Sequence, residues 1–293
     1  MELACKPRSE ARARGFTLIE TVVVLLIFGI VVAMAAALTR GVTASQKRSL
    51  TATRLAGLDA AMINFVAQQK RLPCPADGRL ASTANNAGTE VSAGSCSAAS
   101  LQHGVVPWRT LGLSETDATD GWDRRITYRL DPALSVANQM DMSQCDPAGG
   151  VIAGPIATCA AGCSQATLAT CTAPAAFLNG KGLRIVSAAA VPVTLMDPQA
   201  VPYMGAAYVL ISHGESGGGG YLNTGKLATS SSDGDGTGEL KNYASTIFTS
   251  VTVTNYVDDS LSDVAGASHF DDIVLRPSIM TVVTRAGLGP RAH

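Results

Sequence analysis

The sequence predicts an α+β protein in which a long N-terminal helix packs on a mainly antiparallel β-sheet head with disulfide-pinned loops. Three observations support this prediction. An apolar run with a helical continuation fills residues 16–72, short alternating segments separated by turns follow it, and an even set of cysteines lies in the second part. The 293 residues are ample for a hydrophobic core.

The apolar run predicts a transmembrane helix. From Phe16 to Leu38 the only ionisable side chain is Glu20, and basic residues flank the run on both sides. At about 1.5 Å per residue the run makes a helix roughly 34 Å long, enough to cross a hydrocarbon core of about 30 Å. The basic residues before it predict a cytoplasmic leader over 1–15 and an exported chain after residue 38.

Glu20 is the feature that simpler interpretations leave unexplained. An ordinary signal peptide with a cleavage site near Ala33-Met34-Ala35, or a plain single-span anchor, would account for the apolar run. Neither accounts for a carboxylate inside it, because such a group costs free energy in hydrocarbon unless a partner compensates its charge.

The segment "RGFTLIETVVVLLIFGIVVAMAAA" resembles the class III signal of type IV pilins and type II secretion pseudopilins. The resemblance implies that a prepilin peptidase cuts between Gly15 and Phe16 and that Phe16 is then N-methylated. It further implies that Glu20, the fifth residue of the mature chain, meets the terminal amine of a neighbouring subunit as the helices pack into a filament.

We therefore expect a minor structural subunit of a type IV pilus or type II secretion pseudopilus, with no catalytic activity of its own. The expected partners are the prepilin peptidase, other pilin or pseudopilin subunits, and the bacterial inner membrane. The N-terminus would be cytoplasmic and the head periplasmic before assembly. A net charge of −1 gives no electrostatic reason to expect direct nucleic-acid binding.

The helix is predicted to continue beyond the membrane over residues 39–72. Leu55, Leu58, Met62 and Phe65 recur at helical spacing and form one apolar stripe. Pro73 is expected to end the helix.

The head is predicted to span residues 73–293 and to form a mainly antiparallel sheet against this helix. Its strands are predicted from alternating or apolar segments at Asp123–Asp131, Leu183–Ala188, Ala206–Ser212, Thr246–Val257, Asp272–Leu275 and Ile279–Thr284.

Six cysteines lie in the predicted head, and in an oxidising compartment they predict three disulfides. They are Cys74, Cys96, Cys145, Cys159, Cys163 and Cys171. Cys74 and Cys96 could close one ring, but the sequence does not fix the pairing, and buried free thiols are the alternative. Residues 141–180 hold four of the cysteines and predict an exposed loop pinned by disulfides.

"GESGG" at residues 214–218 raises a different function, a serine hydrolase. Ser216 would be the nucleophile, and His269 follows it, after the acids Asp258, Asp259 and Asp263. The glycines at 217–220 argue against this assignment, because a nucleophile elbow needs a helix directly after the serine. The alternative function is thus a membrane-anchored periplasmic binding protein or serine hydrolase without a role in a filament.

The stretch "SSDGDGTGELKN" is predicted to be a Gly-rich turn that presents Asp233, Asp235 and Glu239. Oxygen ligands on such a loop suit calcium, although Ala244 stands where an EF-hand needs its last carboxylate. Major pseudopilins carry a calcium site in a late loop, and the resemblance makes calcium the one cofactor to consider. A solvated acidic turn is the alternative.

Overall fold

The computed structural model describes residues 18–94, 96, 103–229, 236–244 and 255–293, with the backbone alone over 35–41. The chain divides into two compact units, Met1–Ser45 and Gln46–His293. The first unit contains the start of helix α1, Leu18–Gln69, and the second contains the rest of α1 and the head.

The apolar stripe of α1 is confirmed within the second unit. Leu58 and Met62 are fully buried and Leu55 nearly so, whereas Phe65 is only half-buried. The helix ends at Gln69, slightly before the predicted position. Lys70 adopts a left-handed φ of 54°, which an α-helix cannot continue through.

Two sheets form the head, and the mainly antiparallel prediction is confirmed. The first sheet has the order β1-β2-β5-β7 and is antiparallel throughout; its strands are β1 (His103–Val105), β2 (Thr127–Leu130), β5 (Tyr208–Ser212) and β7 (Ile273–Leu275). The second has the order β4-β3-β6, with a parallel β3–β6 pair; its strands are β3 (Ile185–Val186), β4 (Thr194–Met196) and β6 (Tyr256–Val257).

The first sheet separates two apolar cores because alternate side chains point to opposite faces. Tyr128 and Leu210, which are cross-strand partners, belong to the core that contains Leu58 of α1. Val209 and Ile211 belong to the second core; its members from the second sheet are Ile185, Met196 and Tyr256. The first sheet, called the central sheet below, is therefore covered by α1 on one face and by the second sheet on the other.

The strand predicted at Ile279–Thr284 is wrong, because residues Ile279–Arg285 form helix α4. Ser278 caps this helix by accepting a hydrogen bond from the Thr281 amide at 3.1 Å. Ile279, Val282 and Val283 are buried, and their spacing is that of one helical face.

The prediction of a Gly-rich turn in the stretch SSDGDGTGELKN is also wrong for the described part of that stretch. Residues Thr237–Ala244 form helix α3, and the Glu239 carboxylate accepts a hydrogen bond from the Gly236 amide in the manner of a capping box. A shorter helix α2, Pro174–Leu178, and strands β1 and β4 were not predicted. Most of the predicted strand Thr246–Val257 lies outside the described residues, and its end forms β6.

The structure joins the six cysteines of the head into three disulfides, as predicted. The pairs are Cys74–Cys96, Cys145–Cys159 and Cys163–Cys171. The last two lie within residues 141–180, which also contain α2 and a 3₁₀ helix at Gln165–Thr170. This segment is therefore more regular than the predicted loop.

Asp59 connects α1 to both the central sheet and α4. The buried Tyr208 hydroxyl donates to Asp59 Oδ1 at 2.5 Å, and the Arg285 guanidinium pairs with Oδ2. Burial raises the pKa of Tyr208, and the charge of Asp59 raises it further. The hydroxyl therefore stays a neutral donor to the carboxylate at physiological pH.

The Asp59→Ala variant is expected to lose about 1–3 kcal/mol of unfolding free energy, because it leaves the buried Tyr208 hydroxyl without an acceptor. Chemical denaturation of the full chain in detergent would measure the loss. Asp263→Ala is the matched control, since Asp263 is 83% exposed and pairs with Arg48 only at the surface. The control should change stability by less than about 0.5 kcal/mol, and equal losses in the two variants would contradict the role of Asp59.

Candidate functional site

The start of α1 is a helix with an apolar surface. Every residue from Leu18 to Met34 is exposed in the chain, including Leu25 at 69% and Phe28 at 65%. The segment contains no Pro, and most of its residues are Val, Ile or Leu. A continuous apolar surface of this kind marks a membrane or a protein interaction site.

Glu20 lies in the first described turn of this helix. The Thr21 hydroxyl donates to the Leu18 carbonyl at 2.8 Å in the same turn. The predicted cleavage residues Gly15 and Phe16 lie outside the described residues.

Within the described residues, no helix meets the combined requirement of length and hydropathy for a membrane span. Phe16 and the side chains of residues 35–38 belong to the predicted span but not to the described part of the chain. The transmembrane helix at 16–38 stays a prediction.

Ser216 lies in a tight turn directly after β5. Its hydroxyl donates to Asp271 Oδ1 at 2.9 Å, and its amide donates to Asp271 Oδ2 at 2.8 Å. Gly214 has φ +54°, and a Cβ on it would lie 2.4 Å from the Asp271 side chain. Only glycine fits this close approach, so Gly214 has a structural role in the turn.

The His213 imidazole contacts Thr127 and Asp272 and makes no hydrogen bond with Ser216 among the described residues. It is 1% exposed, with Nε2 lying 2.9 Å from the Thr127 hydroxyl and Nδ1 lying 3.5 Å from Asp272. Asp272 also accepts a hydrogen bond from Asn242 at 2.8 Å. Among the described residues, Ser216 therefore meets a carboxylate and a carbonyl, and no imidazole that could act as its base.

The other residues of the hydrolase hypothesis have separate partners. Asp258 pairs with Arg276, Asp259 accepts from the Ala188 amide, and Asp263 pairs with Arg48. His269 pairs with Glu239. In the described part of the chain, none of these side chains forms a hydrogen bond with Ser216.

Glu239, His269 and Asp271 form a compact cluster that sequence reasoning missed. One ligand atom of each lies within 4.8 Å of the others, so the three could hold a metal ion. Glu239 and His269 are 30 positions apart and share no local spacing, so no pattern in the sequence indicates this cluster. Asp233 and Asp235 of the predicted calcium set lie outside the described residues, and calcium prefers oxygen to the imidazole nitrogen found here.

The cluster is held together by backbone donors and by one charge pair. The Glu239 carboxylate accepts from the Asp271 amide and lies 3.1 Å from His269 Nδ1. Burial lowers the pKa of His269, but the hydrogen bond and charge of Glu239 raise it, and the net direction is upward. Burial and the charge of Glu239 raise the pKa of Asp271, although Ser216 donates to it.

The stabilising contribution of His269 should fall as pH rises. The pKa of His269 is higher in the folded protein than its ordinary value of 6.5. The stabilising contribution is therefore fully present below pH 6.5 and is lost as the pH rises through the folded-state pKa. The difference in unfolding midpoint between the wild type and His269→Gln should therefore be larger at about pH 5.5 than at about pH 8.5.

Glu239→Gln is the control for this measurement, because it removes the charge that raises the pKa of His269. In that background, the effect of His269→Gln should no longer be larger at the lower pH, because burial by itself lowers the pKa of His269. A difference in midpoint that stays constant with pH in the wild-type background would contradict the pairing.

Comparison with known proteins adds information on the amino-terminal segment. Residues 11–36 match the family described as the prokaryotic N-terminal methylation motif. No curated protein and no solved structure matches the chain significantly. The match includes Gly15, Phe16 and Glu20 and leaves the head without a family assignment. The amino-terminal segment thus carries the N-methylation motif that is typical of type IV pilins and pseudopilins.

Proposed function

We propose that the chain is a minor structural subunit of a type IV pilus or a type II secretion pseudopilus. It would be inserted in the bacterial inner membrane, cut after Gly15 by a prepilin peptidase, methylated on Phe16 and assembled with other pilin subunits through α1. The observation that carries the proposal is the methylation motif at residues 11–36, which coincides with the exposed apolar start of α1.

Electrostatics supports a role for Glu20 in assembly. Cleavage after Gly15 creates an ammonium group at Phe16, and a carboxylate in an apolar surrounding needs such a partner. Two opposite unit charges about 4 Å apart attract by about 4 kcal/mol at an effective dielectric constant of about 20. An ammonium group on a neighbouring subunit would therefore favour one axial register of the packed helices over others.

The head would determine which partners the subunit meets. In the head, α1 covers one face of the central sheet and the second sheet covers the other. We therefore assign contacts with other subunits to the loops of the head. The disulfide-bearing segment 141–180 contains the exposed Ile152 and is the segment we assign to partner contact. A calcium ion held by Asp233, Asp235 and Glu239 remains a proposal.

The alternative function is a membrane-anchored periplasmic binding protein or serine hydrolase. The hydrogen bonds of Ser216 favour the filament subunit, because its hydroxyl is held by Asp271 and a nucleophile needs a base. We accordingly propose that the chain has no catalytic activity of its own.

The mature chain is expected to begin at Phe16 and to carry one added methyl group there. Intact-mass analysis of the membrane fraction would measure this. A chain that keeps Met1, or one that begins near Ala36, would refute the proposed processing.

Glu20→Gln is expected to leave cleavage intact and to reduce the amount of the subunit in sheared filaments by about tenfold or more, since the isosteric amide lacks the charge. Quantitative immunoblotting of the filament fraction would measure this amount. Glu10→Gln is the matched control, because residue 10 lies in the leader and cleavage removes it. Normal assembly of the Glu20 variant would refute the role of the carboxylate.

Ser216→Ala tests the alternative function. We expect the wild-type chain and this variant to be equally inactive towards a panel of ester and peptide substrates. Activity that is present in the wild type and lost in the variant would revive the hydrolase.

A further inference from the structure

The cluster of Glu239, His269 and Asp271 has the donor spacing that a metal site requires. Glu239 Oε2 lies 3.1 Å from His269 Nδ1, and one donor atom of each residue lies within 4.8 Å of the other two. The donor atoms around a tetrahedral zinc ion are about 3.4 Å apart, since each bond is about 2.0–2.2 Å long. Small rotations of the side chains would therefore bring all three donors to bonding distance of one ion.

The backbone fixes where these three side chains meet. His269 and Asp271 lie on either side of Phe270, which is 2% exposed and anchors this segment in the core. Glu239 comes from the first turn of α3. Gly236, just before α3, lies so close to the other segment that a Cβ on it would be 1.9 Å from the His269 carbonyl oxygen. Glycine therefore permits the close approach that brings the start of α3 to His269.

The hydrogen bonds of the two carboxylates orient them and still leave room for a metal ion. A carboxylate offers about four acceptor sites. Glu239 accepts from the amides of Gly236 and Asp271, and Asp271 accepts from the amide and the hydroxyl of Ser216. Each carboxylate therefore keeps lone pairs for a metal ion, and outer hydrogen bonds of this kind orient the ligands of metal sites.

The charges of the cluster favour a bound cation. Glu239 and Asp271 are each 3% exposed, and two carboxylates buried so close together repel each other unless a proton or a cation lies between them. In the described part of the chain, no lysine or arginine pairs with either carboxylate, and His269 supplies at most one positive charge. A divalent ion would compensate both carboxylates at once.

The His269 side chain keeps the cluster accessible from solvent. It is 17% exposed, and the residue lines a cavity of about 320 Å³. A metal site needs an entry path, and the imidazole is the part of the cluster that an incoming ion would meet first.

We propose that Glu239, His269 and Asp271 bind a zinc ion, with His269 Nδ1 and one oxygen of each carboxylate as ligands and water in the fourth position. One imidazole nitrogen with two carboxylate oxygens suits zinc, whereas calcium takes about six to eight oxygens and magnesium prefers six. The ion would take the place of the Nδ1 proton, which is released to solvent. In the metal-free chain His269 pairs with Glu239 instead, and this is the state whose stability falls as pH rises.

The zinc site differs in its metal and in two of its ligands from the calcium site proposed at Asp233, Asp235 and Glu239. It is also separate from the amino-terminal segment and does not depend on the role of the chain in a filament.

Isothermal titration calorimetry of the untagged full chain in detergent tests the proposal, with zinc chloride as the probe. The parent chain carries Cys5→Ser, because the Cys5 thiol is itself a zinc ligand. Zinc should bind more tightly than calcium or magnesium. His269→Gln should weaken zinc binding by about a hundredfold or more, since the loss of an outer hydrogen bond alone typically costs a metal site about tenfold to a hundredfold.

His293→Gln is the matched control, because it removes a histidine whose Nε2 lies 3.2 Å from the Ser143 carbonyl oxygen. Its zinc affinity should equal that of the parent chain. Absence of zinc binding to the parent chain, equal zinc affinity in His269→Gln, or tighter binding of calcium than of zinc would overturn the proposal. If His269→Gln does not fold, Glu239→Gln decides in its place, and an unchanged zinc affinity overturns the proposal.

Discussion

The packing of α1 against the central sheet is the constraint on which the rest of the head depends. Leu58 and Met62 fill the core beneath Tyr128 and Leu210, and Asp59 on the same helix satisfies a buried hydroxyl of the sheet. Because the helix supplies the apolar layer for one whole face, only the opposite face is left for the second sheet. The second sheet and its core occupy that opposite face.

The sequence predicted those parts of the fold in which apolar residues repeat at the spacing of a helix or a strand. The stripe around Leu58 and Met62 repeats at helical spacing, and the strand around Tyr128 alternates, so both could be found from neighbours in the chain. Residues Ile279–Thr284 fit a strand and a helix equally well by composition, and the deciding signal was the Ser278 cap. The amino-terminal motif was found for a different reason, because its order of residues is specific in itself.

The polar clusters of the head could not be predicted, because sheet register creates them. Ser212 at the end of β5 pairs with Ile273 at the start of β7, which brings the turn after one strand against the residues before the other. Ser216 and Asp271 meet for this reason although 55 positions separate them.

The three disulfides have a consequence for how the head matures. Each cysteine of the head is joined to the next one along the chain, with separations of 22, 14 and 8 residues. An oxidant that joins thiols in their order along the chain would thus produce the native set directly. Each ring can close before the next pair of cysteines appears, so this connectivity requires no later exchange of partners between rings.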